Sequence, residues 1–550
     1  MASSADNAVN GKPTCAHDEL LNDVLRKQWG FDGFVVSDYD AWINLKTTHH
    51  YVDTFEEAAA IGINAGMDQE GGFGVYSAVD ALPAALAAGT VSASTVKESF
   101  RRLMKIRMRL GMFDPPASVA PNNASYTPAI QCESGAHIAL ARRAVRESIV
   151  LLKNKNNVLP LSAETFKGKP GSLAVIGPLA DDMYNLLGAA NYAFPDGPSK
   201  GVVTVLQGLQ TVVGQPAAPH VNGCADTACD IADIRAATAL SKGASATVLV
   251  LGDSFGGKRT GWPLCKGSSV NGCESEAHDR TAIELPGRQA EVAVALAASS
   301  GSTPLVCVLL HGGAIALGAA IDACDAIVDM WVPGQEAGAG LADVLFGMYS
   351  PAGRSPVTFY HATSDLPDFR EYNEYPSGLG RPDGSSSPGI TYRHYMGDTE
   401  PDFKFGFGLS YTNFSYSGLR TPEFARPCDD LNVTVRVTNI GKVTSDEVVQ
   451  VYAALPDATV PTPRVRLVAF QRVRDIAPGQ SVVVTLIVRP DSHAVVLEGS
   501  SVYDADVAVQ AGRLALSVGG GQYSYDAGSN TLSGIVQVGP GSAPVRSCGK

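Results

Sequence analysis

Gly33-Phe34-Val35-Val36-Ser37-Asp38 is a short apolar run, entered through Asp32-Gly33 and closed by the polar-aromatic segment Tyr39-Asp40-Ala41-Trp42. Three consecutive apolar residues, two of them β-branched, read as a strand buried on both faces, the kind found in parallel sheets. Upstream, Leu20, Leu21, Val24 and Leu25 recur at helical spacing between Asp18 and Gln28, and Trp29-Gly30-Phe31 closes that helix. Helix, short turn, buried strand, then an acid at the strand's C-terminal end is the order of a barrel or doubly wound α/β active site. Two roles are open to Asp38 from the residues alone. It caps the helix that follows, or it presents a carboxylate to a concave opening.

With 550 residues, the chain is long enough for two to four domains. Apolar content of 45% and charged content of 18% suit folded, core-rich domains. A net charge of −13 argues against nucleic acid or anionic membrane as a partner. No apolar run is long enough to span a bilayer. Met1 to Asp6 has neither a basic nor an apolar region, so no signal peptide is expected there. Sequons at Asn123, Asn413 and Asn432 nevertheless suit a secretory product. Cys224/Cys229 and Cys265/Cys273 lie in polar loops and read as short-range disulfides, whereas Cys307 and Cys324 lie in apolar segments and read as buried thiols. The cysteine spacing fits no zinc pattern, and no metal site is expected.

Further along, Phe55 to Asn64 runs into Ala65-Gly66-Met67-Asp68, again helix, short strand and acid. Ser77 to Leu110 reads as helical with a break at Gly89, and its basic face, Arg101, Arg102, Lys105, Arg107 and Arg109, reads as solvated. Gly111 and Pro115-Pro116 end it. Beyond His137, strand runs (Leu173 to Pro178, Ala246 to Leu251, Leu305 to Leu310, Ala326 to Trp331) alternate with helical ones, which predicts an α/β sandwich with a mainly parallel sheet. The Gly/Ser/Cys-rich loop from Gly252 to Cys273 leaves a strand end, where ligands bind in such sheets. Glu274 and Glu276 follow it beside His278 and Arg280, and that cluster is either an ordinary set of ion pairs or an acid site. Ser364 to Ile390 is dense in turn formers. From Val433, Val435 and Val437 onward, period-2 strands separated by turns predict an all-β sandwich.

Three groups of phrases resemble glycoside hydrolase family 3. They are Asn7 to Cys15 with Trp29 to Asp38, Glu276-Ala277-His278-Asp279-Arg280 with Leu285-Pro286-Gly287, and Phe405-Gly406-Phe407-Gly408-Leu409-Ser410-Tyr411. The resemblance implies an α/β plus all-β chain. Residues 1–115 would be the C-terminal part of a (β/α)8 barrel and 116–160 an inter-domain linker and helix. Residues 161–363 would be an α/β sandwich domain, 364–411 a connecting segment, and 412–550 a fibronectin type III-like domain. It implies a retaining glycoside hydrolase with Asp38 as nucleophile and Glu276 as acid/base, Glu274 being the alternative. Tyr39 and Trp42 would stack on the sugar or, as is commoner for an aromatic after a strand, pack in the core; Asp68 would be structural or near the sugar, and no cofactor would be needed. Gly223 to Cys229 and Tyr392 to Tyr395 look most like the β-xylosidase and α-arabinofuranosidase branch, with β-glucosides the alternative substrate. The family's earlier barrel strands have no counterpart, so an N-terminally incomplete copy or a divergent relative is expected, and a catalytically impaired carbohydrate-binding or interaction protein is the competing reading.

Overall fold

The computed structural model describes residues 2–72, 77–122, 134–188, 201–254, 280–299, 301–368, 371, 387–497, 507–522 and 530–548. The chain divides into two compact units, Met1–Cys132 and Glu133–Lys550.

In the first unit, β1 (Ala2–Ser4) is followed by a two-stranded ribbon, β2 (Ala8–Val9) and β3 (Lys12–Pro13). Asn10 and Gly11 both take positive φ between them, the backbone that an Asn-Gly hairpin turn supplies. Helix α1 (Glu19–Gln28), wound in π geometry, leads to β4 (Val35–Tyr39), and the short α2 (Asn44–Thr47) precedes α3 (Phe55–Ala65) and β5 (Gln69–Gly71). Strands β1, β4 and β5 form one parallel sheet with β4 in the middle. Helices α4 (Leu82–Ala87) and α5 (Ala93–Arg109) follow, separated at Gly89, which takes the left-handed conformation. Val35, Trp42, Leu45, Ile63 and Met67 form the core of this unit.

One expectation fails here. The basic face of α5 is not wholly solvated, because Arg102 turns inward to pair with Asp68. Sequence periodicity places it on the polar face, and only the buried carboxylate draws it in.

The second unit opens with α6 (Gly135–Ser148) and a six-stranded sheet in the order β6-β11-β10-β9-β7-β8. These strands are β6 (Val150–Asn154), β7 (Leu173–Ile176), β8 (His220–Val221), β9 (Ala246–Gly252), β10 (Leu305–Leu310) and β11 (Ala326–Asp329). All pair in parallel except β6. Helices α7 (Val205–Val213), α8 (Ile234–Ser241), α9 (Gln289–Ser299), α10 (Ala320–Ala323) and α11 (Ala337–Leu345) cover it. Each face carries its own apolar cluster, so the strands are buried on both sides and read as unbroken apolar runs.

After the short α12 (Thr391–His394) comes the β-sandwich. Its strands are β12 (Phe414–Arg420), β13 (Phe424–Ala425), β14 (Leu431–Asn439), β15 (Ser445–Ala454), β16 (Arg466–Ile476), β17 (Ser481–Val488), β18 (Val495–Val496), β19 (Val507–Val509), β20 (Gly512–Gly519), β21 (Thr531–Val538) and β22 (Ala543–Pro544). Sheets β12-β14-β17 and β13-β21-β20-β15-β16 pack Val433, Val435, Val449, Val451, Leu516 and Val518 between them. Strand β15 breaks the alternation, since nine of its ten residues are buried. Its carboxylates face salt-bridge partners, Arg354 Nη2 to Glu447 at 2.7 Å and Arg472 Nη1 to Asp446 at 3.1 Å.

Cys224–Cys229 forms the expected disulfide. Cys307–Cys324 is also a disulfide, which corrects the reading of both as thiols. Both are buried, as their apolar neighbours require, but α10 returns Cys324 to within 5.9 Å of Cys307 between Cα atoms, inside the span a disulfide bridges. Cys428–Cys548 is a third, closing the β-sandwich. Cys265/Cys273 and the sequon at Asn123 fall outside the described residues. Among the described residues no helix is long and apolar enough to cross a membrane.

Candidate active site

Asp38 is the penultimate residue of β4, the middle strand of the first unit's sheet. Its side chain is exposed, and Oδ1 accepts the Tyr39 N–H at 2.7 Å rather than capping α2. The strand beneath it is fixed by Asp68. The Asp68 side chain is fully buried; Oδ2 accepts from Arg26 Nη2 at 2.6 Å and from the Val35 N–H at 2.9 Å. Oδ1 receives Arg102 Nη2 at 2.7 Å. Arg26 also donates to the carbonyls of Gly33 and Gly66, each at 2.9 Å. One carboxylate thus ties the entry of β4 to α1, α5 and the turn before β5. Both its oxygens are spent on the scaffold, which is the structural of the two roles expected for Asp68.

At the other end of β4, Ser37 Oγ accepts the Gly71 N–H at 2.9 Å and the Gly71 carbonyl accepts the Asp40 N–H at 2.9 Å. A Cβ on Gly71 would stand 2.7 Å from the Ser37 carbonyl, so only glycine lets β5 approach so closely.

The two aromatics after the strand part company. Tyr39 is 58% exposed, whereas Trp42 is 1% exposed with Nε1 donating to the Ala58 carbonyl at 2.8 Å. Trp42 therefore presents no open face for a sugar ring, and its place is in the core.

Glu274 and Glu276 lie outside the described residues. The described residues that flank them in the chain are firmly anchored. Asp253, just past β9, pairs with Arg280 Nη1 at 3.1 Å, and Arg280 Nη2 donates to the Ala314 carbonyl. Buried Gln289 at the start of α9 accepts the Gly252 N–H at 2.9 Å and donates to the carbonyls of Gly252 and Thr227, each at 2.7 Å. Leu285-Pro286-Gly287 lies between these anchors, with Leu285 buried. His311, just past β10, and Asp329, the last residue of β11, pair at 3.1 Å, fully buried. The sequence reading passes over Asp253, Gln289, His311 and Asp329. For Asp253, His311 and Asp329 the available signal is a polar residue closing an apolar strand run, the same signal that singles out Asp38; Gln289, at the start of a helix, carries no such signal. Among the described residues no group of three or more His, Cys, Asp or Glu is arranged to hold a metal ion.

Three family models match the chain in order: the glycosyl hydrolase family 3 N-terminal domain over residues 1–106, its C-terminal domain over 149–411, and a fibronectin type III-like domain over 447–522. The chain belongs to glycosyl hydrolase family 3. A periplasmic beta-glucosidase of Salmonella typhimurium is 32% identical over 498 residues, 86% of this chain and 60% of that protein. A beta-xylosidase/alpha-L-arabinofuranosidase of Medicago sativa subsp. varia is 33% identical over 497 residues, 85% of this chain and 58% of that protein. Among solved structures, a family 3 exo-beta-xylosidase bound to a xylobiose aziridine activity-based probe superposes with a TM-score of 0.80 at 26% identity, covering 100% of this chain and 67% of the other. The chain thus spans about 60% of the length of the curated relatives it matches.

Proposed function

We propose that this family 3 chain carries the chemistry of a retaining β-glycosidase, acting on the non-reducing end of β-xylosides or, alternatively, β-glucosides. The observation that carries the reading is an exposed carboxylate, Asp38, at the C-terminal end of the central strand of a parallel sheet, above a buried ion-paired scaffold. Asp38 attacks the anomeric carbon and the glycosidic C–O bond breaks as a glycosyl ester forms. Glu276, or Glu274, gives its proton to the departing oxygen, then takes one from the water that cleaves the ester. Tyr39, exposed beside Asp38, is the stacking residue for the sugar ring. Relatives named as xylosidases and as a glucosidase support both sugars. Disulfides and the exposed sequon residues Asn413 and Asn432 support an oxidising, secretory setting, as does the periplasmic relative.

The test is release of nitrophenol from nitrophenyl β-xyloside and β-glucoside, with the product anomer followed by NMR. Retention, with loss of turnover in Asp38→Ala, is the expected result. Glu276→Gln should lower turnover of poor leaving groups by about 10²–10⁴-fold, the worth of general acid catalysis. A second reading, sugar binding without turnover, is favoured by the three strands of the first unit's sheet among the described residues, where a closed barrel has eight. Saturable xylobiose binding with no hydrolysis would select it.

A further inference from the structure

His311 Nδ1 lies 2.7 Å from the Gly313 carbonyl and Nε2 lies 3.1 Å from Asp329 Oδ1. Both neighbours are acceptors. A neutral imidazole has one N–H and one lone pair, so either tautomer would set a lone pair against an oxygen, and only the imidazolium satisfies both contacts. The ring is clamped further by Trp331, 4.5 Å away between centroids, whose backbone N–H donates to the same Asp329 Oδ1 at 3.2 Å. Trp331 takes a positive φ to do so, a backbone state that persists only where its surroundings fix it.

The charged groups facing His311 are Asp329 at the end of β11 and Asp253 at the end of β9, with Arg280 paired to Asp253. Two carboxylates and two cations thus form a buried, neutral set. It is also a mechanical chain. His311 grips the Gly313 carbonyl, the next residue's carbonyl receives Arg280, and Arg280 holds Asp253, whose N–H donates to Leu310 at 3.1 Å. Asp253 and Arg280 are the residues from which the segment bearing Glu274 and Glu276 departs and to which it returns.

We infer that the His311–Asp329 pair is a positioning device that fixes the Gly312–Ala314 turn, and through it Arg280, at the base of the acid-bearing segment. The inference rests on reading that segment as the source of the proton donor, but the tether is measurable without activity. Without the imidazolium charge the set carries a net negative charge in the interior, which costs heavily. Burial opposes that charge, but Asp329, the Gly313 carbonyl and Asp253 outweigh it and hold His311 above its ordinary value. A raised value stabilises the tether fully below the ordinary 6.5 and loses it as pH rises through the folded-state value.

Hydrogen exchange of the whole chain between about pH 6 and pH 10 tests this, with intrinsic exchange divided out. Protection of the amides from Arg280 to Gln289 should fall up to tenfold for each unit of pH between the ordinary and the raised value, while β14 in the sandwich stays level. His311→Gln should show low, pH-independent protection there, and Asp329→Asn should shift the wild-type loss to lower pH. Wild-type protection that does not change with pH overturns the tether whatever the variants do. If the tether behaves as expected but Glu276→Gln and Glu274→Gln turn over substrate like wild type, the device stands and the reading of the segment falls.

Discussion

Asp68 shows how much one side chain can settle. Its two oxygens hold two arginines and a backbone N–H, all largely buried, so removing the charge strands two guanidinium groups in the interior. Asp68→Asn is expected to cost about 3–5 kcal/mol, read as a lower urea midpoint for the first unit, because breaking one side of a buried pair leaves the other uncompensated. The aromatics after β4 should separate in the same assay. Trp42→Ala should cost about 3–5 kcal/mol as a core cavity, and Tyr39→Ala should stay within about 0.5 kcal/mol while weakening substrate binding. The opposite pattern would remove Tyr39 from the proposed site. Sequence makes Asp38 legible because an acid ending an apolar run is a local pattern. It leaves Asp68 and Trp42 with two roles each, because both depend on what α1, α3 and α5 bring against them.

Elements were legible wherever period and punctuation agreed. The run from Val205 to Val213 is the helix that the apolar spacing gives, begun by a Thr204–Gln207 capping box. The alternating valines of β14 face the sandwich core as period 2 requires. What the period cannot show is how closely two elements meet. Helices α7 and α11 cross at paired glycines, where a Cβ on Gly338 would stand 1.8 Å from the Thr204 carbonyl and one on Gly208 2.1 Å from the Gly338 carbonyl. Both obstacles are backbone and cannot swing aside. Gly338→Ala is expected to lower stability by at least the about 1–3 kcal/mol of an overpacked core, whereas alanine at an exposed helical glycine usually stabilises. Thermal melts of Gly338→Ala beside Gly135→Ala, whose Cβ meets nothing, would show the contrast.

At the scale of the whole molecule, the α/β domain and the β-sandwich are joined by charge as well as by chain. Arg354 pairs with Glu447, which also accepts from Tyr416 at 2.6 Å, and Tyr349 donates to Asp446 at 2.8 Å. Arg354→Ala should therefore uncouple the two, splitting one calorimetric transition into two. At the edge of this contact Arg474 reaches Glu147 at 2.9 Å, and that hydrogen bond holds the Glu147 carboxyl below its ordinary 4.5. A lowered value stabilises above the ordinary one and is lost as pH falls, so the wild-type melting temperature should drop more steeply on acidification than that of Arg474→Ala.

The Cys428–Cys548 bond has a different kind of consequence, a mechanical one. It joins residues 120 apart, so nearly all of the sandwich lies inside a covalent ring. A force applied at the C-terminus enters the chain at Cys428 and never stretches the strands between. In a pulling experiment the oxidised protein should come up short by on the order of 400 Å of contour length, at about 3.3–3.6 Å per residue, and a reductant should release that length. A protease that nicks a loop of the ring would likewise free no fragment until the bond is reduced, so the sandwich stays tethered even when its chain is cut.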